Sequence, residues 1–332
     1  MDVHYGLSAL RDRVQDETLS GRGAGNSNHK REKLGAYLNF EQRYQEWLTL
    51  SQGGRFDDFE TEYRGEKGGN DNWSWSLGAE VLPFHQDPIW SGLSIFANVG
   101  TGWRPPSASE LFEESGRNVI TLPNPNLEAE TNRTWEIGLG YQKRNLFQEQ
   151  DRASLRVNYF HQDIEDLIVG MPTSQPDELQ LTNAGDDELH GVEFQARYDA
   201  PRYYGALVFD YTERDAQGTG LPGDPVQNRP WSLFGDLGAR FFDHRLTLGA
   251  EIHYVSEFDA GESTLAGSSN NVDSNLFTDS YELVHLYATY ELTEDSSLKF
   301  RVENVFNQDF RAYQTVDNGP GRNFIFAFQQ EF

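Results

Sequence analysis

The sequence contains no cysteine and only two methionines among its 332 residues. The missing thiols exclude a disulfide framework, a cysteine-ligated zinc site and a thiol nucleophile. Basic residues are scarce: 27 Lys and Arg stand against 53 Asp and Glu, a formal net charge of -26. That balance argues against nucleic acid as a partner, because neutralising phosphates needs a surplus of cations. No apolar run approaches the roughly 18 residues that a membrane helix requires. The start, Met1-Asp-Val-His-Tyr5, has neither the basic nor the apolar region of a secretory signal. Read by averages alone, with a mean hydropathy of -0.69, the chain describes a soluble acidic protein.

Aromatic residues are plentiful, with 22 Phe, 15 Tyr and 7 Trp, so a disordered chain is excluded. Their placement follows period two. In Trp135-Glu-Ile-Gly-Leu-Gly-Tyr141 every odd position is apolar or aromatic. Leu34–Phe40, Trp73–Val81, Leu155–Tyr159, Val192–Tyr198, Leu246–Tyr254, Val284–Tyr290, Leu298–Val302 and Phe324–Phe328 alternate in the same way. Successive strand side chains point to opposite faces, so each segment has one apolar and one largely polar face. The pattern predicts an all-β antiparallel fold with 14 strands near 1–9, 34–42, 47–57, 72–83, 93–100, 134–142, 152–163, 189–198, 204–212, 231–241, 246–255, 281–291, 297–304 and 323–332.

The connections are sorted by length. Residues 10–33, 58–71, 101–133, 164–188, 213–230, 256–280 and 305–322 form long connections, and the intervening ones are shorter. Antiparallel strands return to the same side at every second connection, so all the long loops fall on one side. Transmembrane β-barrels have this asymmetry, with the long loops outside the cell. A soluble sandwich or jelly roll also alternates but has no reason to sort its loops. The polar face suits a wet lumen and the apolar face suits lipid. Phe324, Phe326, Phe328 and Phe332 share one face of the last strand.

Strand 93–100 leads into Gly100-Thr-Gly-Trp-Arg-Pro-Pro-Ser-Ala-Ser-Glu-Leu-Phe112, and Leu122-Pro-Asn-Pro-Asn-Leu-Glu-Ala-Glu-Thr131 leads into Trp135. The pair resembles the FRAP and NPNL boxes of TonB-dependent outer-membrane receptors. Asn183-Ala-Gly followed by Gly191-Val-Glu193, and Val302-Glu-Asn-Val-Phe-Asn-Gln-Asp-Phe-Arg311 with Pro320-Gly-Arg-Asn-Phe324, resemble the same family. The resemblance covers essentially the whole chain. Within it, Trp103-Arg-Pro-Pro106 and Asn132–Leu139 are most similar to the haem and haemophore branch.

That resemblance implies an outer-membrane receptor that takes up a ferric siderophore or haem, driven by the TonB complex through a plug domain, with no resident cofactor. It also implies bilayer lipid and the barrel-assembly machinery as partners, the latter reading a terminal aromatic strand that closes on Phe332. The family barrel has about 22 strands. Residues 1–332 are therefore expected to be a partial barrel domain, with the plug and about eight strands missing and Met1 an internal or artificial start.

The residues themselves suggest a binding region at the mouth. Trp103, Arg104, Arg117, Asn124, Asn126 and Tyr313 are its ligand-binding candidates. Arg104 either meets an anionic ligand or forms a fixed ion pair at the rim. Pro105 and Pro106 donate no ladder hydrogen bond and so end the strand. Asn124-Pro125-Asn126-Leu127 has turn chemistry, which gives Pro125 and Leu127, like the two earlier prolines, an architectural role.

Haem iron needs an axial His, Tyr, Met or Cys. Of the eight histidines, only His29 falls in an expected external loop, so the balance tilts slightly to an iron complex without a defined haem ligand set. The acid clusters Asp57-Asp58 with Glu60 and Glu62, and Asp186-Asp187-Glu188, lack calcium-loop spacing and read as solvated surface. No metal set is assigned. An enzyme is disfavoured because His190 has acids nearby but no serine motif. A passive porin is the alternative to a receptor.

Overall fold

The computed structural model describes residues 1–18, 25–116, 119–217, 230–258, 278–313, 315 and 317–331, with side chains left out for 14–18, 25–28, 216 and 217. The strands are β1 (Asp2–Thr18), β2 (Gly25–Tyr44), β3 (Leu48–Tyr63), β4 (Glu66–Val81), β5 (Leu93–Arg104), β6 (Ile120–Leu122), β7 (Glu130–Arg144) and β8 (Arg152–Pro172). They continue as β9 (Glu178–Asp199), β10 (Tyr203–Gln217), β11 (Ser232–Phe241), β12 (Leu246–Val255), β13 (Tyr281–Thr293), β14 (Ser296–Glu303) and β15 (Asn323–Gln330). A short helix, α1 (Ala108–Phe112), and a 3₁₀ turn at Trp90–Gly92 complete the elements of the described residues.

All these strands join one sheet. Its path runs in chain order from β1 to β15, with β6 set aside and paired only to β9. Every neighbouring pair on that path is antiparallel. The 14 strands of the period-two pattern are therefore all present, and β1 and β15 are the two ends of the path.

The two faces divide as the alternation requires. Leu7, Trp73, Ile137, Leu237 and Phe326 are exposed large hydrophobics on one face. The opposite face is hydrogen-bonded and charged. Asn98 donates to Glu136 at 2.6 Å, Arg301 forks onto Glu251 at 2.6 and 2.9 Å, and Tyr287 donates to Asp236 at 2.6 Å. On this inner face glycine repeatedly stands opposite an aromatic: Gly6 opposite Tyr37, Gly238 opposite Tyr204, Gly249 opposite Tyr287. In each pair the ring lies where a glycine Cβ would be, which fills the wall without a conventional core. The buried apolar cluster Val255, Tyr281 and Leu283, with Phe310 against it, sits at one end of the sheet.

Several expected loops are not loops. The pattern predicts a connection over 58–71, but β3 and β4 continue to a two-residue turn at Arg64 and Gly65, with φ of 51° and 90°. Two successive positive φ values make the primed hairpin turn that matches strand twist. The expected connection 164–188 is likewise a continuation of β8 and β9, closed at 173–177. Strands that rise into water need no apolar face, so the alternation fades while the ladder continues. The connections expected over 10–33, 213–230 and 256–280 fall partly, and Phe332 wholly, outside the described residues.

The acid clusters also differ from expectation. Asp57 is 2% exposed and is gripped by Nε and Nη2 of Arg55 and by Lys33. Asp187 is buried against Arg214. Alternation turns Asp57 and Asp187 inward, where Arg55 and Lys33, and Arg214, meet them.

Candidate ligand-binding mouth

Residues 105–116 leave β5 and fold across the inner face, and residues 119–129 lead back to β7. Pro105 and Pro106 end β5, and Pro106 is fully buried. Ser107 then caps α1. Its hydroxyl accepts from the Glu110 N–H at 3.3 Å, and its own N–H donates to Glu110 Oε2 at 2.6 Å. This reciprocal capping box starts a helix of only five residues. Leu111 is buried and meets Gly68 of β4, and Phe112 stacks on Tyr63 of β3 at 5.9 Å.

His29 lies beneath this helix. It belongs to β2 rather than to a loop, stacks on Tyr63 at 4.8 Å and holds Glu113 through Nε2 at 3.2 Å. Its Nδ1 is buried without a hydrogen-bond partner among the described residues. Beyond α1 the chain turns back through a bridge between Ser115 and Thr121 and adds β6, in parallel, to Glu178–Gln180 of β9. The segment thus forms a strap tied to β2–β4 at one end and to β9 at the other. Sequence reasoning missed β6, because three residues carry no period.

Arg104 is the strap's anchor. Its guanidinium donates to Glu130 at 2.5 and 2.6 Å and to Glu110 at 2.9 and 3.1 Å. The guanidinium is thus held in an ion pair at the rim. Burial would push the Glu110 carboxyl up, but bonds from Arg104 and Ser107 outweigh it and hold the group below its ordinary value. Bonds to Glu130 first, and then to Glu110, hold Arg104 charged and raise its already high pKa against burial. Charge-assisted forks of this kind fix geometry as well as energy.

Asn124–Leu127 is the predicted turn. The Asn124 side chain accepts from the Asn126 N–H at 3.0 Å and donates to the Leu181 carbonyl at 2.9 Å. Leu127 is buried, whereas Pro125 and Asn126 are exposed at the tip. Asn183, from the third motif, accepts from the Glu128 N–H at 2.8 Å and donates to the carbonyls of Glu128 and Asp166. The box motifs therefore meet in space and lock one another.

The other candidates divide. Trp103 pairs with Thr131 in register and shares the outer face of Val99 and Thr101, opposite to Arg104. Arg117 lies outside the described residues. Tyr313 is not with the strap. It packs edge-on against Phe258 at 4.6 Å, beside a cavity of about 520 Å³ walled by Phe258, Tyr281, Phe310, Arg311 and Asp279. Tyr281 and Phe310 face each other there at 4.9 Å. Both halves of the mouth thus combine aromatic surface with charge.

Comparison with known proteins gives a consistent picture. The family model described as "TonB dependent receptor-like, beta-barrel" matches residues 3–307. The vitamin B12 transporter BtuB of Photobacterium profundum is 24% identical over 322 residues, covering 96% of this chain and 45% of that protein. Heme/hemopexin utilization protein C of Haemophilus influenzae (strain 86-028NP) is 25% identical over 352 residues, covering 96% of this chain and 46% of that protein. Among solved structures, the FrpB iron transporter from Neisseria meningitidis (F5-1 variant) superposes with a TM-score of 0.77 at 19% identity, over 99% of this chain and 53% of that one. The Serratia marcescens hemophore receptor HasR, in complex with its hemophore HasA and heme, gives 0.76 at 20% identity, over 99% and 56%. The chain spans about half the length of the curated relatives it matches.

Proposed function

From the premise that this chain belongs to the TonB-dependent receptor β-barrel family, we propose that it is the barrel portion of an outer-membrane receptor that takes up an iron complex, a ferric siderophore or haem, in a TonB-dependent manner. The observation that carries this reading is the strap. The FRAP-like and NPNL-like boxes are tied to β7 by Arg104, Glu110 and Glu130, and to β9 by Asn183. The family match over residues 3–307 favours a receptor over a passive pore.

In this reading the strap shapes the entrance, and the aromatic and charged cavity at Tyr281, Phe310 and Arg311 receives the ligand. Asn126 and Tyr313 remain candidates at the rim, whereas Trp103 lies on the outer face of the wall. Arg104 acts as positioning machinery, because both edges of its guanidinium are engaged with carboxylates. His29 is enclosed beneath α1 and paired with Glu113, so it is not presented to a haem arriving from outside. The reading therefore leans towards a complex whose iron keeps its own ligands.

The β1 and β15 edges would expose unpaired backbone groups in lipid, a cost of several kcal/mol per group. Further strands and a plug that engages TonB complete the barrel in this proposal.

Titration of the intact purified protein with haem and with ferric siderophores tests it. Haem binding is followed by absorbance and siderophore binding by calorimetry. Saturable binding of either, with uptake lost in a tonB-deficient strain, is the expected result. Binding of neither, together with steady ion conductance in planar bilayers, overturns it in favour of a porin.

A further inference from the structure

The outer face carries a cluster that the transport path does not use. Trp135, His161, His190 and Glu213 are successive register partners across β7, β8, β9 and β10. They share a face with Ile137, Leu155 and Leu207, which are exposed on the apolar side. His161 stacks on Trp135 at 5.4 Å and on His190 at 6.5 Å, with ring planes 21° apart in the second pair. Further along the same face, Glu188 stands opposite Asp163.

We propose that His161, His190 and Glu188 form a binding site for a divalent transition-metal cation of the zinc class, on the outer wall at the extracellular end of the apolar band. Three observations support it. The potential ligand atoms of the three residues all lie within 4.8 Å of one another. A tetrahedral zinc site with ligand bonds of about 2.0 to 2.1 Å needs its ligand atoms about 3.3 Å apart, a spacing that side-chain rotation reaches. His161 Nδ1 already stands 3.5 Å from Glu188.

Each imidazole also has a second carboxylate. His161 Nε2 lies 3.1 Å from Asp163, and His190 Nε2 lies 3.5 Å from Glu213. Tyr211 donates to Glu213 at 2.9 Å and holds it in place. A carboxylate behind a metal-bound histidine fixes the ring's tautomer and strengthens its donor nitrogen. Finally, three carboxylates around two imidazoles concentrate negative charge, which a divalent cation relieves. The mix of two nitrogens and one oxygen favours zinc, copper or nickel over calcium or magnesium. The site ties β8 to β9 where that hairpin rises out of the apolar band.

The test uses the intact protein, purified in detergent without a histidine tag and stripped with chelator. Zn²⁺ titrated by calorimetry is expected to bind one equivalent that is lost in His161→Gln and His190→Gln and retained in the lumenal control His253→Gln. Glu213→Gln is expected to weaken binding by about 10- to 100-fold, the usual effect of removing a carboxylate behind a ligating histidine. Cu²⁺ at the site is expected to quench the fluorescence of Trp135, and Trp135→Phe removes that quenching. Zn²⁺ is also expected to protect His190 of the unaltered protein from diethyl pyrocarbonate, a measurement that needs no variant to fold. Unchanged Zn²⁺ affinity in both histidine variants, or no protection of His190, overturns the proposal.

Discussion

Arg104 and Glu130 form a two-bond fork between the last residue of β5 and the first of β7, Nε to Oε2 at 2.5 Å and Nη2 to Oε1 at 2.6 Å. Glu130 is buried and also accepts the Ile168 N–H at 2.9 Å, so one carboxylate joins three strands. Lysine keeps the charge but not the fork. Orphaning a buried carboxylate costs about 3 to 5 kcal/mol, and the half-exposed guanidinium reduces this through solvent screening. Arg104→Ala is expected to cost about 2 to 3 kcal/mol and Arg104→Lys about half of that. Hydrogen exchange should show 105–113 opening first in both. Unchanged protection there would mean that the strap is held elsewhere.

Asn183 is expected to matter as much as the strap it holds. Its side chain makes three bonds to backbone groups of two segments. At about 1 kcal/mol per hydrogen bond, Asn183→Ala loosens residues 124–130 by about 2 to 3 kcal/mol. Aspartate keeps the acceptor for the Glu128 N–H but loses both donated bonds, so Asn183→Asp should fall between alanine and the parent. Ligand affinity of the intact protein and exchange at Glu128 report the effect. Equal behaviour of the two variants would show that the retained acceptor contributes nothing.

The barrel wall was legible because it obeys one rule. Trp135, Ile137 and Leu139 alternate in sequence and are all exposed on one face, so one apolar and one polar face follow from period two. Beyond the bilayer that rule lapses. Asp58-Phe-Glu-Thr-Glu62 reads as the start of a connection, yet it continues β3. Water accepts either face of a strand, and only the cross-strand ladder reveals it. His29 and Glu113, or His161 and His190, meet through hairpin register and loop return, which no local spacing encodes. The Arg104 fork was half legible: the sequence offered an ion pair, but its partner, Glu130 at the start of β7, is set by the strand register.

The paired glycines and aromatics of the inner face should behave as units. Gly249 faces Tyr287, whose ring and hydroxyl lie where a Cβ at 249 would stand. Tyr287 also donates to Asp236 at 2.6 Å and meets the Tyr204 hydroxyl at 2.5 Å. Gly249→Ala displaces the ring and is expected to destabilise by about 1 to 3 kcal/mol, the usual range for overpacking. Tyr287→Ala removes the collision, so the double variant should be more stable than the sum of the two single effects. Thermal unfolding in detergent, followed by electrophoretic mobility, measures the cycle. Strict additivity would mean that the two residues do not share one space.

Asp151 gives a pH dependence with a fixed sign. It closes the turn between β7 and β8 and is fully buried, accepting N–H bonds from Leu146, Phe147 and Gln148 and the Tyr198 hydroxyl. Burial would raise its pKa, but these four donors prevail and bring it from 3.8 to about 2. Above the ordinary value the carboxyl is ionised whether the turn is formed or open, and its full stabilisation is present. Between 3.8 and about 2 the opened turn takes up a proton that the closed turn refuses, so stability falls as the pH drops. Below about 2 both forms are protonated and the contribution is gone. Asp151→Asn keeps one acceptor oxygen but no charge. The variant is expected to be less stable than the parent at neutral pH and to converge on it as the pH falls through that window. Melting temperatures of both proteins, measured from neutral pH down to about 2, follow this convergence, and a gap that stays constant across the series would rule Asp151 out as the titrating group.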